Sequence, residues 1–301
     1  GQGVDYELGY GELRGSLPVG RFGTKIEANA GLSNTQPGHT LEQFDVFGKS
    51  RFGGIKVIQP WVRSREFNIS TSAGLDIKSS KTTSNIDIAR QDNITALRVA
   101  SHADFVDTLF SAAVTSANLE VARGVSWFGA SNKGNTDLSR PAGDPNFTKM
   151  TADVTRLERL ANALALQATI KGQLSNGAQL SSEEFGIGGA NAIGRGYDPS
   201  ELVGDDGLAA SLELQWTSPY QVSWLNTYTT YAFYDVGRVW NDDATSVSLR
   251  EQSLASVGLG VRTDITDATH AGFMVAKPLT RNISSEGNDS SRMYMNVSHD
   301  F

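Results

Sequence analysis

The chain has 301 residues, of which 39% are hydrophobic and 20% charged, and its formal net charge is −7. Length allows one large all-β domain or two ordinary ones, whereas the absence of cysteine excludes disulfides and thiolate chemistry. The acidic balance argues against nucleic acid as a partner, because phosphate binding needs clustered lysine and arginine. Abundant Ser, Thr, Asn and Gly indicate a wet interior.

Apolar and polar residues alternate with a period of two along most of the chain, which is the pattern of β-strands. In residues 208–216, for example, leucines, an alanine and a tryptophan oppose Ser211, Glu213 and Gln215. No stretch approaches the roughly 18 consecutive apolar residues of a transmembrane helix. In chain order the alternation predicts about 13 strands, at 4–17, 25–32, 51–59, 67–77, 94–102, 108–120, 147–157, 164–174, 208–216, 225–239, 255–263, 270–279 and 292–301.

The predicted connections alternate between short and long. Short links at 18–22, 61–65, 161–163 and 265–268 alternate with long polar ones at 33–49, 79–91, 124–146, 176–207, 241–251 and 281–290. This alternation is typical of a transmembrane antiparallel β-barrel of the bacterial outer membrane, with its apolar face on lipid and its polar face on the lumen. Aromatic residues near strand ends would form interface girdles or fill the interior: Trp61, Trp127, Trp216, Tyr220, Trp224 and Trp240.

A soluble β-sandwich is the alternative, because it also alternates apolar and polar positions. It is disfavoured because each strand offers one apolar face with no second apolar face to pack upon. The chain shows no signal peptide at Gly1, so we expect a mature form or a fragment.

The longest connection, 176–207, carries the motif Gly194-Arg195-Gly196-Tyr197, and the second strand after it carries Phe233-Tyr234-Asp235-Val236-Gly237. These motifs resemble those of the outer-membrane transporters of two-partner secretion systems, the haemolysin secretion and activation family. Its superfamily includes the barrel-assembly insertase. The resemblance covers most of the chain. It implies a 16-stranded barrel with the long loop folded inside, where the loop arginine pairs with an inner-wall aspartate, here Arg195 with Asp235.

The residue types suit these roles. Gly194 and Gly196 permit backbone angles and close approaches that side chains forbid, and the planar guanidinium of Arg195 can bind a carboxylate through two hydrogen bonds. Strand parity places Asp235 and Gly237 on the inner wall, although aromatic residues share that side.

Three further expectations concern the surroundings of the loop tip. Glu213 is expected to be a further contact of the loop in the lumen. Arg195 in an exposed loop, with Asp235 paired to another cation such as Lys171, is the alternative. Gly194 stands where the family usually has a branched apolar residue, with Ile193 one position earlier, so the tip backbone is expected to differ.

The resemblance predicts an exporter of one large unfolded adhesin, haemolysin or toxin polypeptide. Its expected partners are that polypeptide, outer-membrane lipid and the barrel-assembly machinery, which would recognise the terminal Phe301. An insertase of the same superfamily and a passive porin are the alternatives. No enzyme activity, cofactor or metal is expected, because no phosphate-binding motif is present and no histidine has metal-ligand spacing: His39, His102, His270 and His299.

The predicted strands number about eight before the long loop and five after it. The family barrel has eleven before its loop, and closed bacterial barrels have an even number of strands. We therefore expect residues 1–301 to form one outer-membrane barrel transporter domain, without its first strands and without the periplasmic repeats and plug helix of the family.

Overall fold

The computed structural model describes residues 8–36, 46–85, 89–218, 227–244 and 246–300, and their regular secondary structure is almost entirely β-strand. The first eight strands are β1 Leu8–Val19, β2 Thr24–Thr35, β3 Phe47–Arg63, β4 Phe67–Thr83, β5 Arg90–Asp107, β6 Ala113–Gly124, β7 Thr148–Arg159 and β8 Leu164–Ser175. They are followed by β9 Phe185–Ile187, β10 Leu202–Gly204, β11 Asp206–Thr217, β12 Thr227–Trp240, the helical turn α1 Val247–Arg250, β13 Glu251–Thr266, β14 Thr269–Pro278 and β15 Arg292–His299.

Thirteen of the described strands form one antiparallel sheet, in the order β1 to β8 followed by β11 to β15. Neighbours in the sheet are thus consecutive strands of the chain, except for β8 and β11. The short strands β9 and β10 pair only with each other, within the connection from β8 to β11. The predicted 13 strands, eight before the long loop and five after it, are confirmed for the described part of the chain.

Several boundaries differ from the prediction. β4 continues to Thr83 and β5 begins at Arg90, so the predicted long connection at 79–91 is mostly strand. The end of β4 is polar on both faces, which hides the alternation, yet its backbone stays paired with β3 and Ser80 shares a hydroxyl hydrogen bond with Ser50. β6 begins at Ala113, five residues later than predicted, because the Asp107 carboxylate accepts a hydrogen bond from Leu109 N and closes a turn there.

Neither the β9–β10 hairpin nor α1 was predicted, since elements of three or four residues are too short to show a period. No helix within the described ranges is long and apolar enough to cross a membrane.

Contacts divide the chain into two compact units. The first comprises Gly1–Ala103, Asn118–Thr151 and Leu174–Glu184. A small apolar cluster forms where the connections after β6 and after β8 pack against β5 and β6. Its buried residues are Ile94, Ala96, Ala122, Leu138, Phe147 and Leu180.

The second unit comprises Asp104–Ala117, Ala152–Gln173 and Phe185–Phe301. Its part of the sheet has two unlike faces. On one, which we call the loop face, residues 185–205 pack against the strands. On the other, which we call the outer face, leucine side chains are exposed. Leu208, Leu212 and Leu259 expose 53%, 52% and 64% of their surface.

The alternation that predicted the strands therefore separates these faces. Exposed apolar side chains recur along the outer face. An extended exposed apolar surface typically marks a site that contacts a membrane or another protein. Trp216, on this face, and Trp61 and Trp127, in the first unit, are also exposed. Tyr220 and Trp224 lie outside the described residues.

Candidate functional site

The loop tip is fastened to Asp235, on the loop face of β12. Asp235 is completely buried. Its Oδ2 accepts hydrogen bonds from the backbone N–H groups of Gly194, at 3.0 Å, and Arg195, at 3.1 Å. The Arg195 guanidinium adds two more, from Nε to Oδ2 at 2.9 Å and from Nη2 to Oδ1 at 2.8 Å. A single carboxylate thus receives four hydrogen bonds from two consecutive loop residues.

Arg195 has further partners on the loop face. Its Nη1 lies 2.5 Å from Glu213 Oε2 on β11, and its Nη2 donates to Ser211 Oγ at 2.9 Å. The guanidinium carbon lies 3.5 Å above the centre of the Phe233 ring, which is cation–π geometry. Two carboxylates, a hydroxyl and an aromatic face therefore surround one loop cation. Lys171, the alternative partner considered for Asp235, makes none of Asp235's hydrogen bonds.

The two glycines of the motif have different tasks. Gly194 has φ of +98°, a left-handed conformation in which a branched side chain would be strained. This explains why glycine stands before Arg195, while Ile193 is buried in the apolar cluster beneath the loop. At Gly196 a Cβ atom would lie 2.9 Å from Pro278 N and 3.0 Å from the Lys277 carbonyl carbon, so the loop touches the backbone of β14 there.

Tyr197 ends the motif as a buried anchor with no exposed surface. Its hydroxyl donates to Ala255 O at 3.0 Å and accepts from Thr280 N at 3.3 Å. Buried tyrosines usually find such partners for their hydroxyl group. The tip is thus held on one side through Arg195 and on the other through Tyr197.

Gly237 supplies space for the loop. A Cβ atom there would lie 2.8 Å from Ile187 Cδ1, so the side chain of Ile187 on β9 occupies the place of the missing one. Ile187 belongs to the buried cluster of the second unit, together with Ile193, Tyr197, Leu202, Ala209, Val239, Leu254 and Ile283. The loop is consequently packed through apolar as well as ionic contacts.

Behind the tip, the loop also contacts the connection between β14 and β15. Asp198 forms an ion pair with Arg292 at 2.5 Å and accepts a hydrogen bond from Ser285 Oγ. Burial alone would raise the pKa of Asp198, but the bonds from Ser285 and Arg292 outweigh it and lower that pKa. Glu201 Oε1 accepts from Ser284 N at 3.0 Å.

The first unit contains a group of charges that sequence reasoning missed. Glu183, at the start of the long loop, is buried and lies 2.9 Å from Arg98 Nη2 and 2.8 Å from Lys149 Nζ. Next to it, Glu184 pairs with Arg140 at 2.9 Å. Burial would raise the pKa of Glu183, yet the positive charges of Arg98 and Lys149 prevail and lower it. Strand parity could have indicated Arg98, because it stands between the apolar residues Leu97 and Val99 and therefore lies on the opposite face of the strand.

Glu183→Gln is expected to loosen this start of the loop, because breaking a buried ion pair typically costs about 3 kcal/mol or more. A cysteine at Ser182, whose Oγ is buried without a hydrogen-bond partner, would report the change through faster alkylation. The control is Glu27→Gln, which removes a pair with a half-exposed lysine, Lys56, and should leave the rate within a few-fold. Equal rates in both variants would contradict an anchoring role for Glu183.

A cavity of about 780 Å³ adjoins the loop tip in the second unit. The loop contributes Ala190 to Ile193 and Arg195 to its wall, and the loop face contributes Lys171, Glu213 and Arg262. Among the described residues, no group of three acidic or histidine side chains could hold a metal ion. Phe301 lies outside the described residues, so its suggested part in assembly stays a prediction.

Solved structures of other proteins share this fold. Among solved structures, CdiB from Escherichia coli superposes on 100% of this chain and 54% of its own, with a TM-score of 0.82 at 17% identity. BamA from Haemophilus ducreyi, in a crystal structure lacking POTRA domains 1-3, gives a TM-score of 0.68 at 12% identity over 97% of this chain and 62% of that one.

Sequence comparison is more specific. The outer membrane transporter CdiB of Dickeya dadantii (strain 3937) is 31% identical over 132 residues, which are 42% of this chain and 23% of that protein. The matched parts therefore span about half of the solved CdiB and 23% of the curated one. Residues 10–263 match the family described as haemolysin secretion/activation protein ShlB/FhaC/HecB. Because this match covers most of the chain, the protein belongs to that family of two-partner secretion transporters and is a β-barrel protein of the bacterial outer membrane.

Proposed function

We propose that this protein exports a large unfolded adhesin, haemolysin or toxin polypeptide through its barrel, and that the loop 185–205 is the element that closes the path. The observation that carries the proposal is the burial of Arg195 between Asp235 and Glu213. A loop that served only as an outer connection would gain nothing from placing a charged residue there, since burying charges is costly unless they are well paired.

Polar anchors suit an element that has to move. A buried apolar contact is lost when water enters, whereas Arg195, Asp235 and Glu213 can all be hydrated once the loop leaves. The loop can therefore be held firmly in a dry closed state and still be displaced into a wet open one. The export path begins, in this proposal, at the polar cavity beside the tip. Folding of the exported chain outside the cell supplies direction, so a substrate unable to fold should be exported poorly.

The remaining roles belong to the same proposal. Residues 1–301 act as the barrel domain of a longer transporter that captures its substrate through periplasmic repeats. The exposed leucines of the outer face meet membrane lipid. Phe301 serves as the signal that the barrel-assembly machinery recognises.

Two measurements separate the proposed exporter from the alternatives. A porin gives large, steady single-channel currents, while a barrel closed by a tethered loop gives small, fluctuating ones. An insertase would act on other barrel proteins rather than on a soluble secreted chain, so an insertase and an exporter are distinguished by which client proteins accumulate when this protein is absent.

A reversible disulfide between the loop and β12 tests whether the loop has to move. Ile187→Cys with Gly237→Cys is the best pair, because Ile187 Cγ2 lies 3.4 Å from the position of a Cβ at Gly237. Because Cγ2 is bonded to Cβ, the distance between the two Cβ atoms differs from this value by at most one bond length. It is therefore close to the Cβ–Cβ distance of about 3.5–4.5 Å that disulfides require. The chain has no native cysteine to interfere. Export is expected to stop in the oxidised protein and to return after reduction.

Each single-cysteine variant is the control for the substitution itself and should export equally under both conditions. Equal export by the oxidised and reduced double variant, with the crosslink verified by mass spectrometry, would show that the loop does not have to leave the wall at Gly237.

A further inference from the structure

Glu213 is shared between two arginines that come from different parts of the second unit. Arg195 reaches it from the loop, at 2.5 Å. Arg262 reaches it from β13, with Nη1 at 2.7 Å from Oε1 and Nη2 at 3.3 Å from Oε2. Gln215 on β11 adds a hydrogen bond to Oε1 at 3.0 Å. The Glu213 side chain is 3% exposed, so all three partners crowd around a nearly buried carboxylate.

Arg262 is held without help from the loop. Its guanidinium lies 3.9 Å above the centre of the Tyr231 ring, on the neighbouring strand, and its ion pair is with Glu213 on β11. Half of its side chain is exposed, toward the cavity. When the loop is displaced, Arg262 keeps both of these contacts.

Asp235 is arranged in the opposite way. Within the part of the chain that the structure describes, every hydrogen bond to its carboxylate comes from Gly194 or Arg195. With the loop in place, two carboxylates and two guanidiniums balance each other. With the loop displaced, Arg262 leaves one net negative charge on this wall, and without Arg262 there would be two.

We infer that Arg262 is a positioning residue that makes the closing loop releasable, by remaining on Glu213 when Arg195 leaves. It does so in two ways. It keeps Glu213 paired in the open state, and in the closed state it repels Arg195, because like charges that share a carboxylate weaken each other's binding. Both effects favour the displaced loop, so loss of Arg262 should hold the loop more tightly in its closed position. This inference rests on the proposed closing role of the loop.

The test measures loop displacement without measuring export. Ser256→Cys is the reporter, since Ser256 is fully buried, its Oγ has no hydrogen-bond partner and its Cβ lies 3.0 Å from a Cβ position at Gly196. A maleimide added to the full-length transporter in outer-membrane vesicles can reach this thiol only when the tip has moved. Arg262→Gln is expected to slow alkylation about tenfold, and Arg262→Lys, which keeps the charge, about twofold at most.

Arg238→Gln is the matched control, because Arg238 is equally exposed, at 51%, and pairs with Glu251 on the neighbouring strand. Its alkylation rate should equal that of the parent. An unchanged or faster rate in Arg262→Gln, with the barrel still intact by heat-modified gel mobility, would overturn the inference. A slower rate with undiminished export would support the inference for Arg262 and count against the proposed closing function instead.

Discussion

Asp235→Ala is expected to free the loop tip and to raise the alkylation of a Ser256→Cys reporter by at least a hundredfold. The substitution removes the acceptor of four hydrogen bonds and the main counter-ion of Arg195. Breaking a buried ion pair costs about 3–5 kcal/mol, which is a factor of a hundred or more in the population of the displaced state. Export should either escape control by the loop or fail. The single-channel conductance should rise toward large, steady openings.

Asp235→Asn separates charge from hydrogen bonding. Its amide oxygen can still accept from Gly194 N and Arg195 N, so the rate should fall between those of the parent and the alanine variant. Alkylation of Asp235→Ala at the parent rate would show that the tip is held mainly by Tyr197 and the apolar cluster.

Exchanging the two charges, as Arg195→Asp with Asp235→Arg, is not expected to restore the anchor. An aspartate at 195 would face Glu213, and an arginine at 235 would face the N–H groups of the tip, which are donors like itself. The site is thus not a simple pair that can be inverted. Recovery of export in the double variant would mean that only the pairing of opposite charges matters.

Gly196→Ala is expected to displace the tip, with a smaller effect than Asp235→Ala. The added Cβ atom would lie within about 3.0 Å of Pro278 N and the Lys277 carbonyl carbon. These are backbone atoms of β14 where it is paired with β13, so the loop rather than the strand is expected to move. Forced overpacking of this kind typically costs about 1–3 kcal/mol. The measurement is again alkylation of the Ser256→Cys reporter, with export as a second readout.

Gly15→Ala is the control for a glycine-to-alanine change in the same protein, because no atom lies within 4 Å of a Cβ there. It should leave alkylation and export unchanged. Tolerance of alanine at Gly196 with parent-like rates would show that the close contact with β14 is not needed to hold the loop.

Much of the fold follows from alternation in the sequence. In β11 and β12 the parity that separated leucines from Ser211 and Glu213 also placed Asp235 on the loop face, and side-chain direction in a strand depends only on position along it. The same rule failed where both faces are polar, as at the end of β4, because pairing there is carried by the backbone. The resemblance to the family predicted Arg195 and Asp235 as partners from their sequence motifs alone.

What the sequence determined by itself is thus the thirteen strands of the sheet, the two faces of those strands that alternate, and the identity of the loop motif, since these are local properties. Only the tertiary structure decided which groups meet: Arg262 and Arg195 on Glu213, Glu183 between Arg98 and Lys149, and Gly196 against β14. Those contacts join residues far apart in the chain, and they depend on the register of neighbouring strands and the course of a long loop. Neither quantity is encoded in the spacing of residues along one strand.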